Sequence, residues 1–158
     1  MKNTFKRSGA ALISLVLLLV LAVSAGAASG QNVGVKFWKE KSDKESMANS
    51  GIDPDRTATL TRQANGTYTL TLPVMQVSKL GVTGYLSGLT IGDVTYDGTL
   101  TGDFNKATAV LTIKNLPASV LTGSDVNKSV LVTCNIQMDL QVLGEINTSA
   151  RMCIWNQK

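Results

Sequence analysis

Histidine is absent from the 158 residues, and that absence bounds the chemistry this chain can do. It removes the commonest general base, the usual nucleophilic triads and every imidazole-ligated metal or haem. The carboxylates do not compensate, because Asp53, Asp55 and Asp139 lie at no spacing that demands a shared site. Serines and threonines are abundant, but on strands a hydroxyl most often just faces water. The remaining reactive pair is Cys134 and Cys153. Two cysteines in an exported protein invite a single disulfide, and a loop of this length would stabilise the fold by roughly 3 kcal/mol in the chain-entropy model. Cys134 falls on the apolar face of its strand, whereas Cys153 alternates with Met152 and Ile154 and can face the other way. A bridge and two buried thiols therefore both stand open. No catalytic constellation emerges, and the expectation is that the protein is not an enzyme.

The elements that must carry these residues begin after an export signal. Lys2, Lys6 and Arg7 precede the uncharged, mostly apolar run Ala10 to Val23, and Ala25-Gly26-Ala27 has the small-residue pattern of signal-peptidase cleavage. The run is short for a membrane-spanning helix, and no lipid-anchoring cysteine follows it. A signal peptide over 1–27 and a single domain over 28–158 are expected, with no membrane span after cleavage. Lys2, Lys6 and Arg7 contribute to the formal net charge of +4, which falls to +1 without residues 1–27. That near-neutral domain has no clustered basic face for nucleic acid. The sequence closes at Trp155-Asn156-Gln157-Lys158 without an LPXTG sorting signal, so a secreted protein, free or held at the cell surface, is expected.

Alternation of apolar and polar residues identifies strands, since successive side chains point to opposite faces. Between Ser129 and Val142, Val130, Val132, Cys134, Ile136, Met138, Leu140 and Val142 share one face, while Thr133, Asn135, Gln137, Asp139 and Gln141 share the other. Tyr68, Leu70 and Leu72 oppose three threonines in the same way. The pattern predicts strands near 33–38, 57–62, 67–75, 80–91, 94–96, 99–104, 107–114, 129–142 and 148–155. Asn65-Gly66 and Asp97-Gly98 are expected as tight hairpin turns. The fold class expected is all-β: an immunoglobulin-like antiparallel β-sandwich with one short helical turn near residues 44–50.

That helical island, Lys44-Glu45-Ser46-Met47-Ala48-Asn49-Ser50, resembles the turn written SMAN that opens NEAT domains, the haem-binding β-sandwich modules of Gram-positive bacteria. Phe37 and Trp38 on the first strand, the Asn65-Gly66 strand pair, the segment Gly81 to Tyr96 and the closing hairpin with Arg151 extend the similarity over most of the domain. The resemblance implies haem bound between the turn and the closing hairpin, with haem-donor or acceptor proteins as partners in iron acquisition. The family's YxxxY motif, which supplies the axial tyrosine, is absent. Aligned on Arg151, Gly144 and Thr148 stand where the two tyrosines should be. Methionine is the substitute the resemblance suggests, since a thioether is an established axial ligand. Met47 on the turn, with Met138 or Met152 on the hairpin, would then approach the two porphyrin faces, although Met138 and Met152 also fit core packing. Ser46 matches the serine that hydrogen-bonds a haem propionate, and also reads as a helix N-cap. Lys41 or Lys44 would pair with propionates, and Val142, Leu143 and Ile146 would give an apolar wall. The alternative is a sandwich that has lost haem and binds a protein or surface ligand.

Overall fold

A computed structural model describes residues 29–79, 81–139 and 144–158, so the expected export segment lies outside the described residues. The described chain is all-β: β1 (Gln31–Lys39), β2 (Ala58–Arg62), β3 (Tyr68–Pro73), β4 (Val77–Lys79), β5 (Val82–Ile91), β6 (Val94–Thr101), β7 (Val110–Leu116), β8 (Val130–Met138) and β9 (Glu145–Asn156). Its helical pieces are single 3₁₀ turns of three to five residues. No helix among the described residues is long and apolar enough to cross a membrane.

The strand pairs are antiparallel, and their order, β5-β6-β7-β3-β2-β1-β9-β8, closes on itself through a β5–β8 pairing, with β4 added beside β5. The strands thus form one continuous closed ladder. Closure leaves the eight ring strands without a long unpaired edge. A register shift between Leu86 and Gly88 interrupts the β5–β8 ladder, the kind of bulge that bends a strand and raises its twist.

The alternation predicted for β3 is realised, and β2 and β7 follow the same pattern. Leu60, Leu70, Leu72, Leu111 and Ile113 point inward and are buried with Val33, Phe37, Val132 and Ile154. The opposite face carries threonines in register, Thr59 beside Thr71, Thr71 beside Thr112 and Thr112 beside Thr99. Cross-strand pairs of this kind each add a few tenths of a kcal/mol, to about 1 kcal/mol.

Three sequence expectations are corrected. Asp97-Gly98 is not a turn but lies inside β6, with Gly98 opposite Ile113. A Cβ at Gly98 would stand 2.3 Å from Leu111 Cδ1, so close packing rather than backbone conformation requires the glycine. The reversal falls instead at Gly92-Asp93, where Ile91 pairs with Val94 and Gly92 has φ +59. The Asn65-Gly66 turn stands as expected: Gly66 has φ +84 and its N–H donates to the Gln63 carbonyl at 3.0 Å.

The second correction concerns the cysteines, which are buried free thiols, not a disulfide. Cys134 pairs with Thr148, while Val130 pairs with Met152. Cys153 therefore lies on the other face of β9, five residues along the strand from the partner of Cys134. The third concerns Met152, which is fully buried between Val130 and Phe37 in neighbouring strands and belongs to the core.

Asp53, early in the connection from the 3₁₀ turn to β2, is buried against Arg56. Arg56 Nε donates to its carboxylate at 2.7 Å, and Nη2 donates to the Ala109 carbonyl at 2.6 Å. The Arg56 hydrogen bond, with a second from the Asp55 N–H, holds the Asp53 carboxyl below its ordinary range. A lowered folded pKa contributes stability that is present above the unfolded value of about 4 and is lost as pH falls through the folded one. Asp53→Asn is therefore expected to flatten the acid limb of a plot of Tm against pH. An acid limb as steep as the parent's would show that the pair does not couple to folding.

Candidate functional site

The island at residues 44–50 becomes a lip. Its 3₁₀ turn runs Met47–Gly51, later and tighter than a helix over 44–50, because Glu45 is drawn into an antiparallel bridge with Trp38 of β1. Ser46 is the N-cap, its hydroxyl oxygen accepting from the Ala48 N–H at 3.3 Å. Asn49 fixes the lip to the sheet. Its side-chain Oδ1 accepts from the Phe37 N–H at 2.8 Å, and its Nδ2 donates to the Phe37 carbonyl at 2.7 Å and to the Ser46 carbonyl at 3.0 Å. The side-chain amide thereby pairs with Phe37 as a neighbouring strand would.

On the outer side of β1 the charges of this region are paired. Lys36 Nζ lies 2.6 Å from Glu45 and 4.5 Å from the Trp38 ring centroid. Arg151 bridges Asp43 at 2.7 Å and donates to the Lys39 carbonyl, tying β9 to the segment that leads into the lip. Exposed pairs such as these contribute about 0–1 kcal/mol each, so they orient the lip more than they hold it. Lys41 and Lys44 are exposed on the same segment.

Facing the lip is a groove of ≈ 290 Å³, lined by Met47, Ala48 and Gly51 of the lip, Val77 of β4, Val82 to Leu86 of β5 in part, Ile136 and Met138 of β8, and Ile146 and Thr148 of β9. It is mainly apolar, as small-molecule sites usually are. The floor is shaped by Gly84. A Cβ there would lie 2.7 Å from Met138 Sδ, so the missing side chain is what lets the thioether rest across β5.

The structure brings together Met47, Met138 and Ile146 of the residues expected at the site, with Met47 59% exposed and Ile146 43% exposed. Ser46 stands beside them as the cap of the lip. Met152 is absent from the groove, and Val142 and Leu143 lie outside the described residues. Thr148, one of the two positions aligned with the missing tyrosines, lines the groove, whereas Gly144 is a turn residue with φ +57.

Several groove residues were not expected from the sequence. Tyr85 lines it on β5, with its ring 5.2 Å from that of Phe104. Leu86 and Ile136 fit the apolar alternation of their strands, but that pattern says which face is dry and not which end of the barrel opens. Asn49 gave a signal only as a polar residue in a helix-prone island; its partner, Phe37, is twelve residues away.

The closed antiparallel ladder, with a 3₁₀ lip pinned to the first strand and a groove between that lip and the closing hairpin, is similar in fold to solved NEAT domains. No family model matches the sequence, and no curated protein matches it. Among solved structures, the chain is similar to the NEAT5 domain of IsdX2, a B. anthracis hemophore, in complex with haem, and to a point mutant of that domain, also in complex with haem. Each has a TM-score of 0.53 at 11% identity, over 83% of this chain and 98% of the other.

Proposed function

We propose that this protein binds haem or a related porphyrin in the groove and passes it to other proteins, as a secreted carrier of a bacterial haem-acquisition system and not as an enzyme. The observation that carries this reading is an apolar groove with a methionine on each side, Met47 on the lip and Met138 on β8. The residues present suit such a ligand. Val77, Val82, Leu86, Ile136 and Ile146 match the apolar edge of a macrocycle, and thioethers are competent soft donors to haem iron. Haem would supply a ferric or ferrous centre able to accept them. The Ser46 hydroxyl, already accepting from Ala48, keeps its hydrogen to donate to a propionate, and Lys41 and Lys44 offer charge nearby. The organisation that accompanies this reading is a signal peptide over 1–27 and one domain over 28–158. An immunoglobulin-like sandwich is the class we propose for its closed ladder.

A second reading has one observation in its favour. No phenol stands at 144 or 148 on the closing hairpin, which favours a haem-free module whose groove binds a protein or surface ligand. Titrating the purified protein with hemin separates the two. A Soret shift that saturates near one equivalent is expected, and Met47→Ala is expected to change the position or intensity of the band. A titration indistinguishable from hemin in buffer would reject the haem reading, and an unchanged spectrum in the variant would reject Met47 as a ligand.

A further inference from the structure

Beyond Met1 the chain has four methionines, and they divide by position. Met47 and Met138 line the groove. Met75 follows β3, and its N–H donates to the Gly51 carbonyl at the end of the lip at 3.0 Å. Met152 has no exposed surface, while Met47 is 59% and Met75 38% exposed. The thiols are out of reach: Cys134 and Cys153 are buried, and burial pushes Cys134 up to about 12, so it stays protonated. The accessible sulfur of this domain is therefore thioether: Met47 and Met138 line one groove, and Met75 lies beside the lip that borders it.

We propose that this groove is a methionine-oxidation site at which hydrogen peroxide discharges the bound ligand. The inference rests on the groove being the ligand site. A sulfur lone pair attacks one peroxide oxygen, forming the S–O bond as the O–O bond breaks. The departing hydroxide takes the proton from the transferred oxygen and leaves as water. Sulfur is oxidised by two electrons and peroxide is reduced by two. Unlike a thiol, a thioether reacts without first losing a proton, so the reaction needs no neighbouring base. The product is a polar sulfoxide in place of an apolar contact.

The geometry gives the conversion its effect. Met138 Sδ rests directly over Gly84, so the side toward β5 is filled and an added oxygen must project elsewhere, toward the groove. Met47 stands on the opposite wall, where a sulfoxide would place a second polar oxygen among Val77, Val82 and Ile146. Met152, enclosed by the core, is the internal control that should not react.

The test treats the ligand-free protein with hydrogen peroxide, maps oxygen addition by peptide mass spectrometry, and then titrates with iron-free protoporphyrin, whose binding needs no axial ligand. Met47, Met75 and Met138 are expected to oxidise well before Met152, and affinity is expected to fall about tenfold or more. In a variant carrying Met47→Leu, Met75→Leu and Met138→Leu, swaps that nearly conserve volume, peroxide treatment should leave ligand or dye binding at the variant's own untreated level, whatever that level is. Oxidation of Met152 as fast as Met47, or unchanged affinity once Met47 and Met138 are sulfoxides, would overturn the proposal. If the untreated protein binds no porphyrin, the proposed function fails separately. An apolar fluorescent dye then reads the groove: lower dye binding after oxidation supports the site, and equal binding rejects it.

Discussion

Asn49→Asp is expected to cost the protein roughly 3 kcal/mol and to weaken any ligand held under the lip, although it replaces one nitrogen by one oxygen. The retained Oδ1 can still accept from the Phe37 N–H. The substituted atom, however, is the Nδ2 that donates to the carbonyls of Phe37 and Ser46 at 2.7 and 3.0 Å. An oxygen there loses two hydrogen bonds and faces two acceptors. A net hydrogen bond is worth about 0.5–1.5 kcal/mol, so two lost bonds account for roughly 1–3 kcal/mol, and the repulsion between the new oxygen and the two carbonyls, one of which keeps the Asn49 N–H as donor at 3.2 Å, takes the cost to the upper end. Ser46 N–H still donates to the Phe37 carbonyl at 2.9 Å, so the lip should loosen without detaching from β1. The introduced carboxyl also makes the effect depend on pH. Ionised, it repels the carbonyls; protonated, it regains a donor. Its folded pKa is thus raised, and the stability gap from the parent should narrow as pH falls below that value. Asp53 titrates in both proteins and largely cancels in the difference. Thermal melts of the two proteins across pH 3–8 check this, and a constant gap would show that Nδ2 is not what holds the lip.

Asn49 also shows where sequence reasoning stops. The island was legible because its composition breaks a run of strands, and the lip does form within a few residues of the expected place. What Asn49 does there depends on Phe37 arriving alongside, a contact made by the chain's path and not by local propensity. The same limit explains the methionines. Met138 and Met152 sit in equally convincing alternating strands, yet β8 ends at the groove while Met152 lies further along β9, between Val130 and Phe37 in the middle of the barrel. Alternation fixes the face of a strand and leaves the position along the barrel axis open. The cysteines turn on the register between β8 and β9, which places them on opposite faces. Glycine misled for a different reason. Asn65-Gly66 and Asp97-Gly98 look alike in sequence, but Gly66 is required by a positive φ and Gly98 by the approach of Leu111. Only the first is a local property.

Close approach is also the basis of the other large effect, at Gly84. Two glycines line the groove, and the space around them differs. At Gly84 a Cβ would meet Met138 Sδ at 2.7 Å and the Gln137 carbonyl oxygen at 2.9 Å; at Gly51 its nearest contacts would be Val77 Cγ2 at 3.9 Å and the Met75 carbonyl oxygen at 4.0 Å. The thioether can swing away from a new methyl group, but the Gln137 carbonyl belongs to the paired strand and cannot move without disturbing the β5–β8 ladder. Gly84→Ala is therefore expected to cost about 2 kcal/mol by overpacking and to drive Met138 from its seat into the groove. Gly51→Ala makes only ordinary contacts and should range from neutral to about 1 kcal/mol more stable, through the reduced freedom of its unfolded chain. If Met138 contributes to the ligand site, hemin titration of Gly84→Ala should show a weakened or altered Soret band while Gly51→Ala retains the parent spectrum. Equal stability and equal spectra for the two variants would mean that β5 and β8 do not lie as close at Gly84 as this packing requires. A stability loss at Gly84 with an unchanged spectrum would confirm the packing and remove Met138 from the list of ligands, leaving Met47 as the thioether still to be tested.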